Sequence, residues 1–443
     1  MDDNLLESVV AAALAAGADS AEAVFANRAA LSVTVRMGEL EEVEREESSD
    51  LGVRVFVGER QASVSGSDVS APGRAKLVGR VVAMARLAAE DPYAGLAPAD
   101  RLAGKTGLDL SLFDSTEPSP EILEARARAA EASALAVEGV TNSGGGSASW
   151  SSSSWRLVTS GGFSGRYRAT ASSIYAQVIA GEGDGMEQGG DGRSVRWDAD
   201  LPSPEAIGAE AGRRAVASLG ARKIASTTAP VIFENRLAVS LLSPLIGAIS
   251  GPSVARGVSF LKDRLGAAVF ARGVTVRDDP HKVRGLGSSP FDDEGVANMA
   301  MDIIDDGVLT SWLMNASSAR QLGLATTGHA SRGLAGPPGV GTSNLTLAPG
   351  SRDQAGLMAD VGTGLLVTSM FGPSLNANTG DWSVGCSGHW FEGGEIAYPV
   401  TEITVAGNLI DIYARLIPGS DLEFRGAANA PSILVDNLSI AGK

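Results

Sequence analysis

The sequence predicts an α+β protein, with an N-terminal α/β sandwich-like domain of antiparallel sheet and flanking helices over 1–222 and a mainly β domain over 223–443. Three observations carry this expectation. Helical and strand periodicities arrive in blocks, without the regular strand–helix alternation of a parallel sheet. Glycine and proline punctuation dominates after about residue 221, where short strands and long ordered loops are expected. The 443 residues, 44% of them hydrophobic, exceed one simple core and are neither charge-rich nor low-complexity.

The elements follow in order. Leu5, Leu6, Val9, Val10 and Leu14 fall on one stripe at three- and four-residue spacing, predicting a helix over 4–16 that stops at Gly17. The period then changes to two. Leu31, Val33 and Val35 alternate with polar residues, and Val53, Val55 and Val57 repeat the pattern after a polar break. These read as half-buried antiparallel strands, in a sheet also built from residues near 20–28, 39–46 and 60–66. A helix is expected over 72–90, with Leu77, Val81, Met84 and Ala88 inward. Two further helices open identically, at Ser119-Pro120-Glu121 and Ser203-Pro204-Glu205. In each, serine caps, proline is preset for the first turn, and glutamate complements the helix dipole. Between them, 141–180 is rich in Ser and Gly with strand-like runs such as Trp155–Val158 and Ser173–Val178. Gly220 stops the last of these helices, which places the boundary near 220–226.

Composition excludes several functions. Charged residues number 36 basic against 52 acidic, a formal net charge of −16. Such a chain repels nucleic acid and anionic membrane. The single cysteine, Cys386, excludes an internal disulfide and a multi-cysteine zinc site. The start, Met1-Asp2-Asp3-Asn4, is acidic where a secretion signal is basic, and no stretch approaches the roughly 18–20 apolar residues of a membrane span. A cytoplasmic location is expected.

Candidate chemistry begins with the histidines. Cys386 and His389 form a Cys-x-x-His pair, but two ligands do not complete a zinc site, and positions three apart on a strand face opposite ways. A structural role is expected for both, and for His281 and His329. Asp292-Asp293-Glu294-Gly295 lacks the oxygen spacing of a calcium loop and is expected to form a turn, its side chains bonding to backbone amides. Gly336-Pro337-Pro338-Gly339-Val340-Gly341 has no lysine and fails as a phosphate loop, and Gly181–Gly185 sets two carboxylates where phosphate needs bare amides. Composition does not exclude a serine–histidine–aspartate triad, since its members need not be neighbours in sequence, but nothing in the sequence supports one. His-Glu-x-x-His is missing, as are its longer-spaced variants, so the usual route to a zinc-activated water is closed to this chain alone.

Several runs carry a family resemblance: Phe260–Gly266, Asp278–His281 leading to Gly285–Gly295, Ala319–Leu324, Thr327–Ala330, Gly380–Ser383 and Gly394–Leu409. In the first half, Gly52–Phe56, Asp91–Leu96 and Gly183–Met186 add to them. In that order, across nearly the whole chain, they resemble the TldD/PmbA family of zinc peptidases, in its PmbA (TldE-like) branch. The resemblance implies a two-domain subunit that pairs with a TldD-type partner around a chamber cleaving unfolded or short peptides. In TldD-type chains, a helix bearing His-Glu-x-x-x-His and a cysteine near the C-terminus bind the zinc. Here the helix is expected over 235–249, with Leu242, Ser243, Pro244, Leu245, Ile246 and Gly247 at the motif and Pro244 kinking the helix. Glu423, Phe424 and Arg425 stand near the cysteine's place.

No residue is therefore assigned as catalytic or metal-binding in this chain, and zinc is expected in the partner. The stretch 332–342, notably Arg332, Gly333, Gly336, Pro337, Pro338 and Gly339, is expected near the peptide channel or the subunit interface. The alternative is a self-associating, homo-oligomeric peptide-binding or regulatory protein without proteolysis. An unrecognised active site around Asp292, Asp293, Glu294 and His281 is the third reading.

Overall fold

The computed structural model describes residues 4–104 and 108–443, so the acidic Met1–Asp3 lies outside the described residues. Helix α1 (Leu5–Ala15) leads into strands β1 (Ser20–Arg36), β2 (Glu39–Val57) and β3 (Arg60–Gly66). Helices α2 (Ala71–Leu87) and α3 (Pro120–Leu135) precede β4 (Val140–Thr159), β5 (Ser164–Ala180) and β6 (Glu187–Val195), and α4 (Pro204–Ala217) closes the first half. The six strands form one antiparallel sheet in the order β3-β2-β1-β4-β5-β6.

The segments expected as separate short strands are continuous. Residues 20–28 and 31–35 belong to β1, and 39–46 and 53–57 to β2. The polar stretch of β2 reads as a break because its side chains are exposed on both faces, yet its backbone stays in the ladder with β1 throughout. Both serine–proline helix starts form as expected, Ser119 Oγ accepting from Ile122 N at 3.4 Å and Ser203 Oγ from Ala206 N at 3.2 Å. Two stripes are rotated. Leu14 is 38% exposed and Ala13 completes the buried face of α1, while α2 buries Val78, Val81, Val82 and Ala85 and leaves Met84 outward.

Helices α1 and α2 cover one end of a sheet face, on Ala23, Phe25, Val53 and Val55. Helices α3 and α4 cover the other end of the same face, on Leu31, Val33, Trp150 and Ile174. The two helices touch because Gly208 has no side chain: a Cβ there would lie 1.9 Å from Ala130 O. On the opposite face Val24, Leu157 and Phe163 meet Phe291 and Leu334 of the second half.

The second half begins with β7 (Thr227–Phe233), α5 (Asn235–Ala238), α6 (Ser243–Ile249) and α7 (Gly251–Ala255). Short strands β8 (Val276–Asp278), β9 (Met301–Asp305) and β10 (Val308–Leu309) follow, then α8 (Ala316–Leu322) and the β11 (Ala330–Ser331) and β12 (Gly339–Val340) pair. After β13 (Leu345–Leu347) and α9 (Gln354–Val361) come the long strands β14 (Gly364–Leu375), β15 (Asp381–Glu392) and β16 (Glu395–Asn408). Helix α10 (Leu409–Arg415), β17 (Ile417–Pro418), β18 (Ala428–Asn429) and β19 (Ile433–Ala441) complete the chain.

The main sheet runs β16-β15-β14-β7-β19-β17, and β16 also pairs with β19, closing five strands into a ring around the largest core. A second sheet, β10-β9-β8-β13-β18, packs on the same core. The mixed α+β class and the β-rich second half match expectation. The single helix expected over 235–249 does not form. A 3₁₀ turn at Val239–Leu241 separates α5 from α6. Pro244 therefore occupies the first turn of a new helix, where its missing N–H costs nothing, instead of kinking an old one.

Candidate functional site

The expected motif positions are not disposed as ligands. Leu242 and Leu245 are fully buried in the main core, whereas Ser243 and Gly247 are exposed one helical turn apart. Asn235, at the start of α5, donates to Asp421 O at 2.9 Å, which ties this helix to the C-terminal segment. The start of the expected helix is therefore a neighbour of the C-terminal segment, and Arg236 and Leu237 line one cleft with Arg425, whereas Leu242–Gly247 do not line it.

That cleft, of 890 Å³, lies between the first-half elements β5, β6 and α4 and the second-half sheet. Its walls include Asp191, Arg214, Glu234, Arg236, Thr368, Met370, His389 and Arg425. Ion pairs knit the walls together. Arg214 Nη1 reaches Glu234 at 3.0 Å and its Nε reaches Glu210 at 2.7 Å, while Arg236 shares Glu234 at 3.1 Å. Arg425 holds Asp191 at 3.0 Å and Glu423 at 2.6 Å, and Arg193 takes Glu423 at 3.0 Å. Burial, and then the neighbouring Arg425, hold the Arg193 guanidinium below the ordinary arginine range. Burial raises Glu187 at the rim.

These side chains do not suit a zinc ion. Leu242 offers no lone pair and points into packed hydrocarbon, Gly247 has no side chain, and the cysteine's place carries Arg425, a cation already paired with two carboxylates. Among the described residues, no three His, Cys, Asp or Glu side chains are grouped to hold one metal ion.

One edge of β14 opens into the cleft. Strand β7 pairs with β14 only at Leu365–Val367, so beyond Thr368 that edge carries no neighbouring strand among the described residues. Arg236 Nη2 donates to Thr368 O at 3.2 Å and so marks where the free edge begins. Pro373, which cannot donate to a ladder, suits such an edge.

The histidines are held structurally. His329 is buried, with Nδ1 2.9 Å from Thr327 Oγ1 and Nε2 3.3 Å from Asp278 Oδ2. His281 Nε2 lies 2.9 Å from Asn298 Oδ1. His389 Nε2 donates to Ala217 O at 2.9 Å, joining β15 to the end of α4. Cys386 lies in the main core, on the strand face opposite His389, and burial pushes its thiol up to about 12.

Asp292, Asp293 and Glu294 form the expected turn. Asp292 accepts from Glu294 N (3.0 Å), Val296 N (2.8 Å) and Ala330 N (3.1 Å), and Asp293 accepts from Arg332 N at 2.8 Å. Glu294 accepts from Ala316 N at 2.7 Å, at the start of α8. Burial is the largest influence on all three and raises them, Asp292 to about 8, Asp293 to about 6 and Glu294 to about 7. His281 and this turn share no hydrogen bond; the imidazole is taken by Asn298.

Next to this turn lies a buried network with little sequence signal. Glu22 of β1 and Arg54 of β2 are each 1% exposed, 3.2 Å apart, and directly opposite in register. Arg332 also bonds Glu22, with its side chain fully buried, and Glu294 stands 4.0 Å from Arg54. Arg332 thus joins the two halves of one chain. In the rest of that loop Gly333, Pro337 and Gly339 are exposed, Gly336 is half-buried, and Pro338 is buried with its carbonyl accepting from Asn315 at 2.7 Å. The one clue to the network was a pair of charged residues at inward positions among valines and alanines. The cleft pairs left no clue, because Arg425 and Asp191 lie 234 positions apart.

Comparison with known proteins places these features in context. Residues 226–442 match the family described as PmbA/TldA metallopeptidase C-terminal domain, 113–219 its central domain and 21–85 its domain 1. The chain is 39% identical to Metalloprotease PmbA of Escherichia coli O157:H7 over 444 aligned positions, covering 99% of this chain and 96% of the relative. It is 34% identical to the Metalloprotease PmbA homolog of Haemophilus influenzae, over 96% and 92% of the two chains. Among solved structures, a Bacteroides thetaiotaomicron protein named as a candidate modulator of DNA gyrase superposes with a TM-score of 0.92 at 26% identity, over 100% of both chains. TldE from Thermococcus kodakarensis shares the fold, with a TM-score of 0.87 at 20% identity, over 98% of this chain and 99% of that one.

Proposed function

The chain belongs to the PmbA/TldD metallopeptidase family, and from that premise we propose that it is the zinc-free, TldE-like subunit of a two-component peptidase of the cytoplasm. A TldD-type partner supplies zinc and the activated water. This chain supplies one wall of the chamber in which unfolded or short peptides are matured or degraded. One observation supports the reading: at the positions expected for the zinc motif and the cysteine stand Leu242, packed in the core, Gly247, with no side chain, and Arg425, paired with two carboxylates, none of which offers zinc a ligand.

The part left to this chain is positioning. An extended peptide entering the cleft meets the free edge of β14, where main-chain N–H and C=O groups pair with any sequence. The ion pairs Arg214–Glu234 and Arg425–Asp191 hold the walls at a fixed width, so the peptide's entropy is spent before it reaches the partner's reacting centre.

Mixing experiments test this. The purified chain is combined with a family member carrying His-Glu-x-x-x-His, and cleavage of a fluorescein-labelled unfolded peptide is followed alone and together. Cleavage only in the mixture, weakened by Met370→Pro on the β14 edge, is the expected result. A stable homodimer that binds the peptide and never takes up the partner would replace this reading with that of a peptide-holding protein.

A further inference from the structure

The free edge of β14 is closed at one end. Strand β14 has β15 on one side and β7 on the other, so a peptide on the free edge lies in the lane that β7 occupies further back. Strand β7 stops there: Glu234 N donates to Val367 O at 3.1 Å, and the chain turns into α5 at Asn235. Thr368 is an extra residue in the β14–β15 ladder, and its carbonyl accepts from Arg236 Nη2 at 3.2 Å. Glu234 and Arg236 therefore stand across the lane. At its far end Gly372 has a φ of 58° and Pro373 has no N–H, which leaves Ser369–Phe371 as the run able to pair. Three residues of strand extend roughly 10 Å. A lane this short, stopped at one end, suits the end of a chain better than its middle.

Charge decides which end. Side chains of α4 and of the β7–α5 junction join at the stop: Arg213 and Arg214 reach Glu210, and Arg214 and Arg236 share Glu234. Three guanidiniums against two carboxylates leave a positive surplus, in a chain whose formal net charge is −16. Elsewhere on the walls Arg425 is met by Asp191 and Glu423. A terminal ammonium would meet Glu234 with both oxygens taken, by Arg214 at 3.0 and 3.3 Å and by Arg236 at 3.1 Å. A terminal carboxylate meets Arg236, whose other bond goes to a neutral carbonyl and whose Nε has no acceptor among the described residues. Exchange then loses no hydrogen bond. A peptide N–H takes Thr368 O, and the guanidinium turns to the carboxylate, in a charge-assisted bond roughly twice as strong as the neutral one it gives up.

We propose that this cleft receives the C-terminal end of an extended peptide, its α-carboxylate on Arg236 and its last residues paired antiparallel with Ser369–Phe371. The carboxyl end reaches Arg236 only when the peptide runs against β14, which is also the better-bonded sense of a ladder. Leu237 and Met370 line the same stretch and give the peptide's side chains apolar contact. The inference rests on the reading of this chain as a peptide-positioning subunit. It adds a substrate class to that reading: peptides ending in a free carboxylate, as opposed to internal loops or blocked ends.

The test uses the full chain and a short peptide of threonine, valine and alanine, labelled with fluorescein at its N-terminus and ending in either a free carboxylate or an amide, read by anisotropy. The free acid is expected to bind saturably and about tenfold more tightly than the amide, and the difference to shrink as salt rises. Arg236→Gln is expected to bring the acid down to the level of the amide without weakening the amide, and Arg236→Lys to keep part of the difference. A merely structural role for Arg236 would weaken both peptides alike. Equal binding of acid and amide by the unaltered chain overturns the proposal, whatever Arg236→Gln does to folding. Mixing with the metal-bearing family member separates the two claims. Cleavage with no preference for the free acid refutes this inference alone, whereas a preference for the acid without cleavage refutes the subunit reading and leaves the carboxylate site standing.

Discussion

Replacing Glu22 by glutamine removes one negative charge from a deeply buried ionic cluster. Arg54 and Arg332 both depend on it, and the side chains of the three residues are 0–1% exposed. Among the described residues the only other acid within ion-pair distance of Arg54 is Glu294, at 4.0 Å, although Gln61 accepts from two of its nitrogens at 2.9 and 2.7 Å. Stripping one member from a buried pair costs about 3–5 kcal/mol, because the remaining charge stays desolvated and uncompensated. Glutamine keeps one acceptor oxygen, so Glu22→Gln is placed at the lower end, about 3 kcal/mol. Because Glu22 and Arg54 lie in the first half and Arg332 and Glu294 in the second, the loss falls on the contact between halves. Urea unfolding followed by circular dichroism is expected to show an earlier transition for the variant. Glu22→Gln combined with Arg332→Met is expected to cost clearly less than the sum of the two, since the second change removes a charge the first left unpaired. A loss below about 0.5 kcal/mol, typical of a surface site, or strict additivity, would refute the reasoning.

Three further outcomes are expected. Asp292, Asp293 and Glu294 have raised folded-state values of about 8, 6 and 7, so their stabilising contribution is complete below about pH 4 and is lost as pH climbs through those values. The melting temperature should therefore fall between pH 5 and 8 and flatten in Asp292→Asn; a rise across that window contradicts the assignment. Grafting the zinc motif by Leu242→His, Ser243→Glu and Gly247→His should cost about 2–4 kcal/mol, chiefly from the core position, and give no stoichiometric zinc uptake by calorimetry. Gly208→Ala should cost about 1–3 kcal/mol, because the methyl must displace the Ala130 carbonyl of α3, and a neutral result in thermal unfolding counts against that packing.

Periodicity and capping made the first half legible. The serine–proline helix starts and the alternating valines of β1 and β2 act locally, and they formed where expected. The misreadings share a cause. Strand length failed at Glu39–Asp50 because a strand exposed on both faces has no hydrophobic alternation to follow, its order coming from the neighbouring backbone. The break at Val239–Leu241 was hidden because the stretch is helix-like in composition, and only the packing of Leu241 and Leu242 into the core shows why it turns. The motif positions were assigned through resemblance alone. Nothing in the local sequence announces that Arg425 meets Asp191, or Arg332 meets Glu22, since such pairs exist only once the two halves are docked.

Metal analysis of separated subunits, after they have been shown to cleave peptide together, bears most directly on the borrowed-zinc account. The account predicts close to one zinc per TldD-type partner, none retained by this chain, and activity restored when the two are mixed again. Zinc held stoichiometrically by this chain after separation, together with peptide cleavage by it in isolation, would contradict it.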